Sequence, residues 1–200
     1  MPSTVLTVGR LVPRKGQIYL IDAVRKLVDE GLDLKLVIVG VGPEENKLRE
    51  RAKGLNFRLE PEKSATNPKG KILDDEQLEQ EYKSADVFVL PSITDEKGEK
   101  EGLGLVLLES MHYKLPVISF DNGGTSEVVI DGYNGILLPE KDVDGLAKAI
   151  KKILTDTEFR NKLVETAYDD IHKRFSVETI TRQQVEIYDN ILKDNEYAKY

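Results

Sequence analysis

Residues 101–109, reading E-G-L-G-L-V-L-L-E, constrain this chain more than any other stretch. Between Gly102 and Tyr113 the one fully charged side chain is Glu109. Wound as a helix at about 100° per residue, Leu105, Val106, Leu107, Leu108 and Met111 surround nearly the whole axis. A helix that is apolar all round is expected to be buried. Glu109 is therefore expected in a buried setting, where a carboxylate is costly unless something hydrogen-bonds it. Glu101 precedes the helix, in a loop where Gly102 and Gly104 let backbone come close to a ligand. Amides at a helix start point outward and favour anions. One carboxylate at the mouth, another a little over two turns deeper, and bare amides between them suit a polyhydroxylated, phosphate-bearing molecule. The plainer alternative is that Glu109 pairs with an arginine and the glycines only shape a turn.

The remaining chain predicts an α/β fold. Residues 3–8 (S-T-V-L-T-V) and 34–39 (L-K-L-V-I-V) read as buried strands that stop at Gly9 and Gly40. Between them, residues 18–28 carry helical apolar spacing, and 44–53 form a short charged helix. Residues 57–59, 86–90, 116–120 and 135–138 read as further short strands. Asp74 or Asp75 caps a helix through 85, and Thr125 is expected to cap another to 130. Continuous apolar strands alternating with helices indicate a doubly wound, Rossmann-like parallel sheet covered on both faces. Helices over 143–154, 157–174 and 177–194 close the chain, and residues 1–200 are expected to be one domain. Residues 60–70 read as a polar loop, and residues 94–100 as a charged, mobile one.

Several function classes drop out. The chain lacks cysteine, so disulfides and thiolate metal sites are excluded, and its formal charge of -7 argues against nucleic acid and anionic membranes as partners. No apolar run reaches transmembrane length. His112 and His172 belong to no ligand motif, so no metal site is expected. Neither G-x-G-x-x-G, a Walker loop nor a G-x-S-x-G elbow occurs.

In open α/β sheets ligands bind beyond the carboxyl ends of the strands. The first strand is followed by G-R-L-V-P-R-K-G, which places Arg10 at the strand end and Lys15 where the next helix begins. Positive charge at a helix N-terminus is disfavoured by the helix dipole, and a bound polyanion reverses that cost. A solvated basic turn is the alternative.

G-R-L-V-P-R-K-G, D-V-F-V-L-P-S, E-G-L-G-L-V-L-L-E-S-M, L-P-V-I-S and G-G-T-S-E occur in this order. Together they resemble the C-terminal, donor-binding half of retaining GT-B glycosyltransferases, the "glycosyl transferases group 1" (GT4) family. The resemblance runs from Thr4 to about Leu192. It implies transfer of a hexosyl group from a nucleotide-diphospho-sugar, without metal or other cofactor. Gly9, Arg10 and Lys15 then face the donor diphosphate, and Glu101 is the first glutamate of the E-x7-E motif, on the donor sugar. Gly102, Leu103, Gly104 and Leu105 bring backbone to that sugar and its phosphate, Glu109 takes the ribose hydroxyls, and Ile72 meets the nucleobase. Catalysis is assigned by the same resemblance to Glu101, Arg10 and Lys15. An acceptor-binding N-terminal domain is implied as partner outside this chain. The location implied is cytoplasmic, peripheral at the inner membrane face in the full-length enzyme. Open alternatives are a non-catalytic nucleotide-sugar module and a related GT-B enzyme such as a sugar-nucleotide epimerase.

Overall fold

Six parallel strands form one sheet in the computed structural model, which describes residues 1–61 and 73–197. In chain order the elements are β1 (Ser3–Val8), α1 (Gln17–Asp29), β2 (Leu34–Val39), α2 (Glu45–Arg51), β3 (Phe57–Glu60), α3 (Asp75–Ser84), β4 (Val87–Leu90) and α4 (Leu105–His112). They continue as β5 (Val117–Phe120), α5 (Thr125–Val128), β6 (Ile136–Leu138), α6 (Val143–Thr155), α7 (Thr157–Arg174) and α8 (Val177–Tyr197). The spatial order is β3-β2-β1-β4-β5-β6. The winding direction therefore reverses between β1 and β4, and a crevice opens beyond their carboxyl ends.

Side chains along each strand alternate between two apolar layers. Val5, Leu36, Ile38, Val87, Val89, Ile118 and Phe120 point to one layer, with Leu20, Ile21, Val24 and Leu27 of α1 and Leu146, Ile150 and Ile153 of α6. Leu6, Val37, Val39, Phe88, Leu90 and Val117 point to the other, with Tyr82 of α3, Leu107 and Met111 of α4, and Ala167 and Ile171 of α7. Burial on both faces is why these strands read as unbroken apolar runs. The doubly wound parallel sheet is as the sequence implied.

Three local expectations change. The α4 helix is not buried all round: only Leu107, Ser110 and Met111 are buried, while Leu105 is 64% exposed and Glu109 is exposed. Eight residues make just over two turns, and one side of them meets the sheet and α7. Elsewhere on the helix Leu105 and Glu109 face outward, while Val106 and Leu108 are partly buried against the core. Thr125 is the first residue of α5 rather than its cap, a position held by Gly124. The Thr125 hydroxyl instead accepts from Asn122 N (3.0 Å) and donates to Phe120 O (2.8 Å), closing the 121–124 turn. Residues 94–99, expected to be mobile, fold on themselves. The Asp95 carboxylate accepts the amides of Lys97 and Glu99 at 2.9 Å each, and Asp95 N donates to Glu99 O at 3.1 Å. Asp74 is the cap of α3, in a reciprocal capping box with Gln77. Most of the 60–70 loop lies outside the described residues, and Ile72 lies outside them as well.

Candidate active site

The end of β1 leads into Arg10 and then a 3₁₀ turn, Pro13–Lys15. Gly16 follows with φ 61°, a left-handed conformation that suits glycine. A Cβ there would stand 1.9 Å from Pro91 O, so the basic turn is seated directly on the chain leaving β4. Ile93 N donates to Arg14 O (2.8 Å) and strengthens that junction. Turning the chain this tightly sends the Lys15 side chain back over Gly9, where a Cβ would lie 3.5 Å from its Cε.

Lys15 Nζ ends 2.6 Å from Glu101 Oε2, and Ser92 Oγ donates to the same oxygen at 2.7 Å. The two charged side chains are 13% and 9% exposed. Glu101 is thus the dry carboxylate of the pair and Glu109 the open one, the reverse of the order expected from the sequence. Burial pushes the Glu101 carboxyl up, but the Lys15 ammonium, the Ser92 hydroxyl and the charge of Arg14 outweigh it and hold the group below its ordinary value.

The backbone of Glu101 is fixed by the turn after β5. Asn122, 1% exposed, accepts Glu101 N on its Oδ1 at 2.7 Å. Its Nδ2 donates to Glu140 Oε1 (2.6 Å) and Thr94 Oγ1 (3.0 Å). Gly123 and Gly124 lie flat against the glutamate loop: added Cβ atoms would meet Glu101 O at 2.1 Å and Gly102 O at 2.0 Å. This contact is what D-N-G-G encodes. Gly104 takes φ 76° as the residue before α4, leaving the helix-start amides uncapped by any side chain. Gly102 differs, because among the described residues nothing but its own chain neighbours lies within 4 Å of where its Cβ would stand. The fold does not itself require glycine there.

Glu109 accepts a hydrogen bond from Tyr82 Oη of α3 at 2.7 Å. Burial pushes the Tyr82 phenol up, and the bond to Glu109 adds to the shift, so it stays a donor at any working pH. Tyr82 stacks on Tyr113 with ring centroids 5.5 Å apart. On the same side of β1, an apolar cleft of about 200 Å³ is lined by Val8, Gly9, Val39, Gly40, Pro61, Leu73 and Leu78, with Arg10 at its edge.

The structure therefore brings Gly9, Arg10, Lys15, Glu101, Gly102, Leu103, Gly104 and Leu105 to one end of the sheet, with Glu109 in the second turn of α4. Sequence reasoning missed Tyr82, Ser92, Asn122 and Glu140. Ser92 and Asn122 had a faint signal, since each lies two residues past a strand end. Tyr82 and Glu140 had none. Among the described residues no cluster of three or more potential metal ligands occurs. No helix among them is long and apolar enough to cross a membrane.

Comparison with known proteins bears on this arrangement. The sequence model described as Glycosyl transferases group 1 matches residues 1–170. The chain belongs to the glycosyl transferases group 1 family.

Relatives in that family include the putative colanic acid biosynthesis glycosyltransferase WcaL of Salmonella typhimurium, 31% identical over 96% of this chain and 46% of its own length. The phosphatidyl-myo-inositol mannosyltransferase of Mycolicibacterium smegmatis is 33% identical over 94% of this chain and 45% of its own. Among solved structures, sucrose-phosphate synthase of Thermosynechococcus elongatus superposes with a TM-score of 0.76 at 27% identity, covering 96% of this chain and 46% of that one. The Anabaena HepE structure in complex with UDP matches with a TM-score of 0.76 at 24% identity, over 94% and 49% of the two chains. The chain spans about half the length of the curated relatives it matches. Its six-stranded sheet is the Rossmann-like half of a GT-B glycosyltransferase fold. In this group 1 member the E-x7-E pair is split between a dry, lysine-bound Glu101 and an open, tyrosine-bound Glu109.

Proposed function

We propose that this chain is the donor-binding half of a retaining, metal-independent glycosyltransferase that moves a hexosyl group from a nucleoside-diphosphate sugar. The observation carrying the reading is the Lys15–Glu101 pair at the β1–β4 switch point, beside the uncapped start of α4. A diphosphate placed there takes Lys15, Arg10 and the α4 amides as its cationic cradle. The nucleobase seats in the apolar cleft at the ends of β1 and β2, and the ribose diol lies on Glu109, whose free lone pairs accept its hydroxyls. Gly102, open on its Cα side, lets the sugar lie against the backbone, and Glu101 accepts its hydroxyls.

In the transfer step the bond between the anomeric carbon and the β-phosphate oxygen breaks, and its electron pair leaves with the nucleoside diphosphate. The acceptor hydroxyl oxygen bonds to the same carbon on the same face, and its proton passes to the departing phosphate. Arg10, Lys15 and the helix amides stabilise charge that grows on that phosphate, which is differential stabilisation of the transition state. The acceptor-binding half corresponds to the length of the relatives that this chain does not span. By itself the chain binds donor and transfers sugar poorly or not at all.

Calorimetry with UDP, GDP, ADP and their sugar conjugates tests the reading. One nucleotide series is expected to bind, with Arg10→Ala and Glu109→Ala each weakening it about tenfold or more. Unchanged binding in both variants overturns the site, and sugar transfer by this polypeptide alone at the rate of a full-length enzyme overturns the division of labour.

A further inference from the structure

A second cavity, about 630 Å³, lies on the α1 side of the same rim and is unused by the donor reading. It meets the apolar cleft only at Arg10. Its walls include Arg14 of the basic turn, Tyr19 in the first turn of α1, Thr94 and Asp95 of the folded loop, and Lys141 after β6.

The walls are built before any ligand arrives. Asp95 spends one carboxylate oxygen on its own turn, and Thr94 is clamped to Glu140 by its amide (2.9 Å) and hydroxyl (2.7 Å). The groups left over face the cavity. Arg10, at the shared edge, belongs to the diphosphate, but among the described residues the Lys141 side chain has no ion-pair partner and Tyr19 Oη has no hydrogen-bond partner. The Tyr19 ring is half-buried, held edge-on to Phe120 with centroids 6.3 Å apart. A rigid aromatic face with unspent donors around it suits a pyranose ring, which offers C–H groups to the ring and hydroxyls to the rim. Ligand pockets commonly fall between about 300 and 1,000 Å³, so the space is ample for one or two sugar rings.

The cavity is wired to Glu101. Arg14 Nη1 donates to Lys100 O at 3.0 Å, and Asn122 joins Thr94 to the Glu101 amide. We propose that this cavity is a saccharide-acceptor subsite, so that one half of the fold contacts both the donor sugar and the ring receiving it. The inference rests on the donor reading above for its word acceptor, and not for the binding of a sugar.

The test is amide NMR on the whole labelled chain, alone and saturated with UDP, GDP or ADP, titrated with methyl α-glucopyranoside, methyl α-mannopyranoside and methyl β-glucuronide. A neutral pyranoside is expected to shift the amides of Tyr19 and residues 94–97 with millimolar affinity, and to do so equally when nucleotide is bound. Tyr19→Ala is expected to weaken this at least tenfold, and the exposed-rim variant Lys141→Ala threefold or more, with nucleotide affinity unchanged. If Tyr19→Ala does not fold, Lys141→Ala alone decides. Sugar shifts that vanish with nucleotide present place the cavity in the donor site and overturn the proposal. So do shifts by the glucuronide alone, absence of shifts at Tyr19, or variants that bind as the parent does. Sugar binding at Tyr19 in a chain that binds none of the three nucleotides overturns the donor reading while the saccharide site stands.

Discussion

Glu101→Gln separates phosphate from sugar recognition. Glutamine keeps the size of the side chain and can still accept from Ser92, but it removes the charge that holds Lys15. The pair is nearly dry yet opens onto the cleft, so its loss is expected to cost about 1.5–2 kcal/mol, between the values for surface and fully buried pairs. Binding should move in two directions. Lys15, no longer neutralised, is free for a diphosphate, and one fixed negative charge beside the phosphates is gone. A gain of about 1 kcal/mol corresponds to roughly fivefold tighter binding of the free nucleoside diphosphate. The sugar conjugate loses a hydrogen bond to a charged acceptor, about 1.5–3 kcal/mol, so its advantage over the free diphosphate shrinks at least tenfold. Isothermal calorimetry with both ligands, beside urea unfolding, measures all three numbers. If the ratio of the two affinities stays at the parent value, Glu101 does not touch the sugar and the placement is refuted.

Stability should also depend on acid. Because the folded-state value of Glu101 is lowered, its contribution is present above about pH 4.5 and is lost as pH falls further through the folded value. Urea midpoints from pH 3 to 7 should show this loss in the parent and a flatter profile in Glu101→Gln. Tyr82→Phe removes the donor that orients Glu109, and is expected to weaken nucleotide binding about threefold to tenfold with the sugar-to-nucleotide ratio unchanged. Gly124→Ala should unfold at clearly lower urea although its φ of -80° is ordinary, because the new methyl meets Gly102 O. A midpoint equal to the parent's would mean the two loops are not in contact. Asn122→Ala strips three side-chain hydrogen bonds from a buried turn, and a destabilisation of about 2–4 kcal/mol is expected by thermal and urea unfolding.

The layered fold was legible because parallel strands buried on both faces are near-continuous β-branched and apolar runs, and residues 3–8 and 34–39 come close to that without help from their neighbours, Lys35 being the one charged exception. Local chemistry likewise marked a helix cap at Asp74 or Asp75 and a special backbone at Gly104, since each answers a demand within a few residues. The order of the strands was not written locally. It put β1 beside β4, and only that adjacency lets Lys15 reach across 86 positions of sequence to Glu101. The same distance between sequence and space explains the error at Glu109: helical spacing shows which residues share a side, but what covers a side is decided by other elements. For α4 the sheet and α7 cover one side, Val106 and Leu108 are partly covered, and Leu105 and Glu109 stay exposed. Tyr82 and Glu140 could not have been found earlier, because a tyrosine in a charged helix and a glutamate in a turn look ordinary until folding sets them against Glu109 and Asn122. Residue types set the layers, and chain crossing at the switch point set the site.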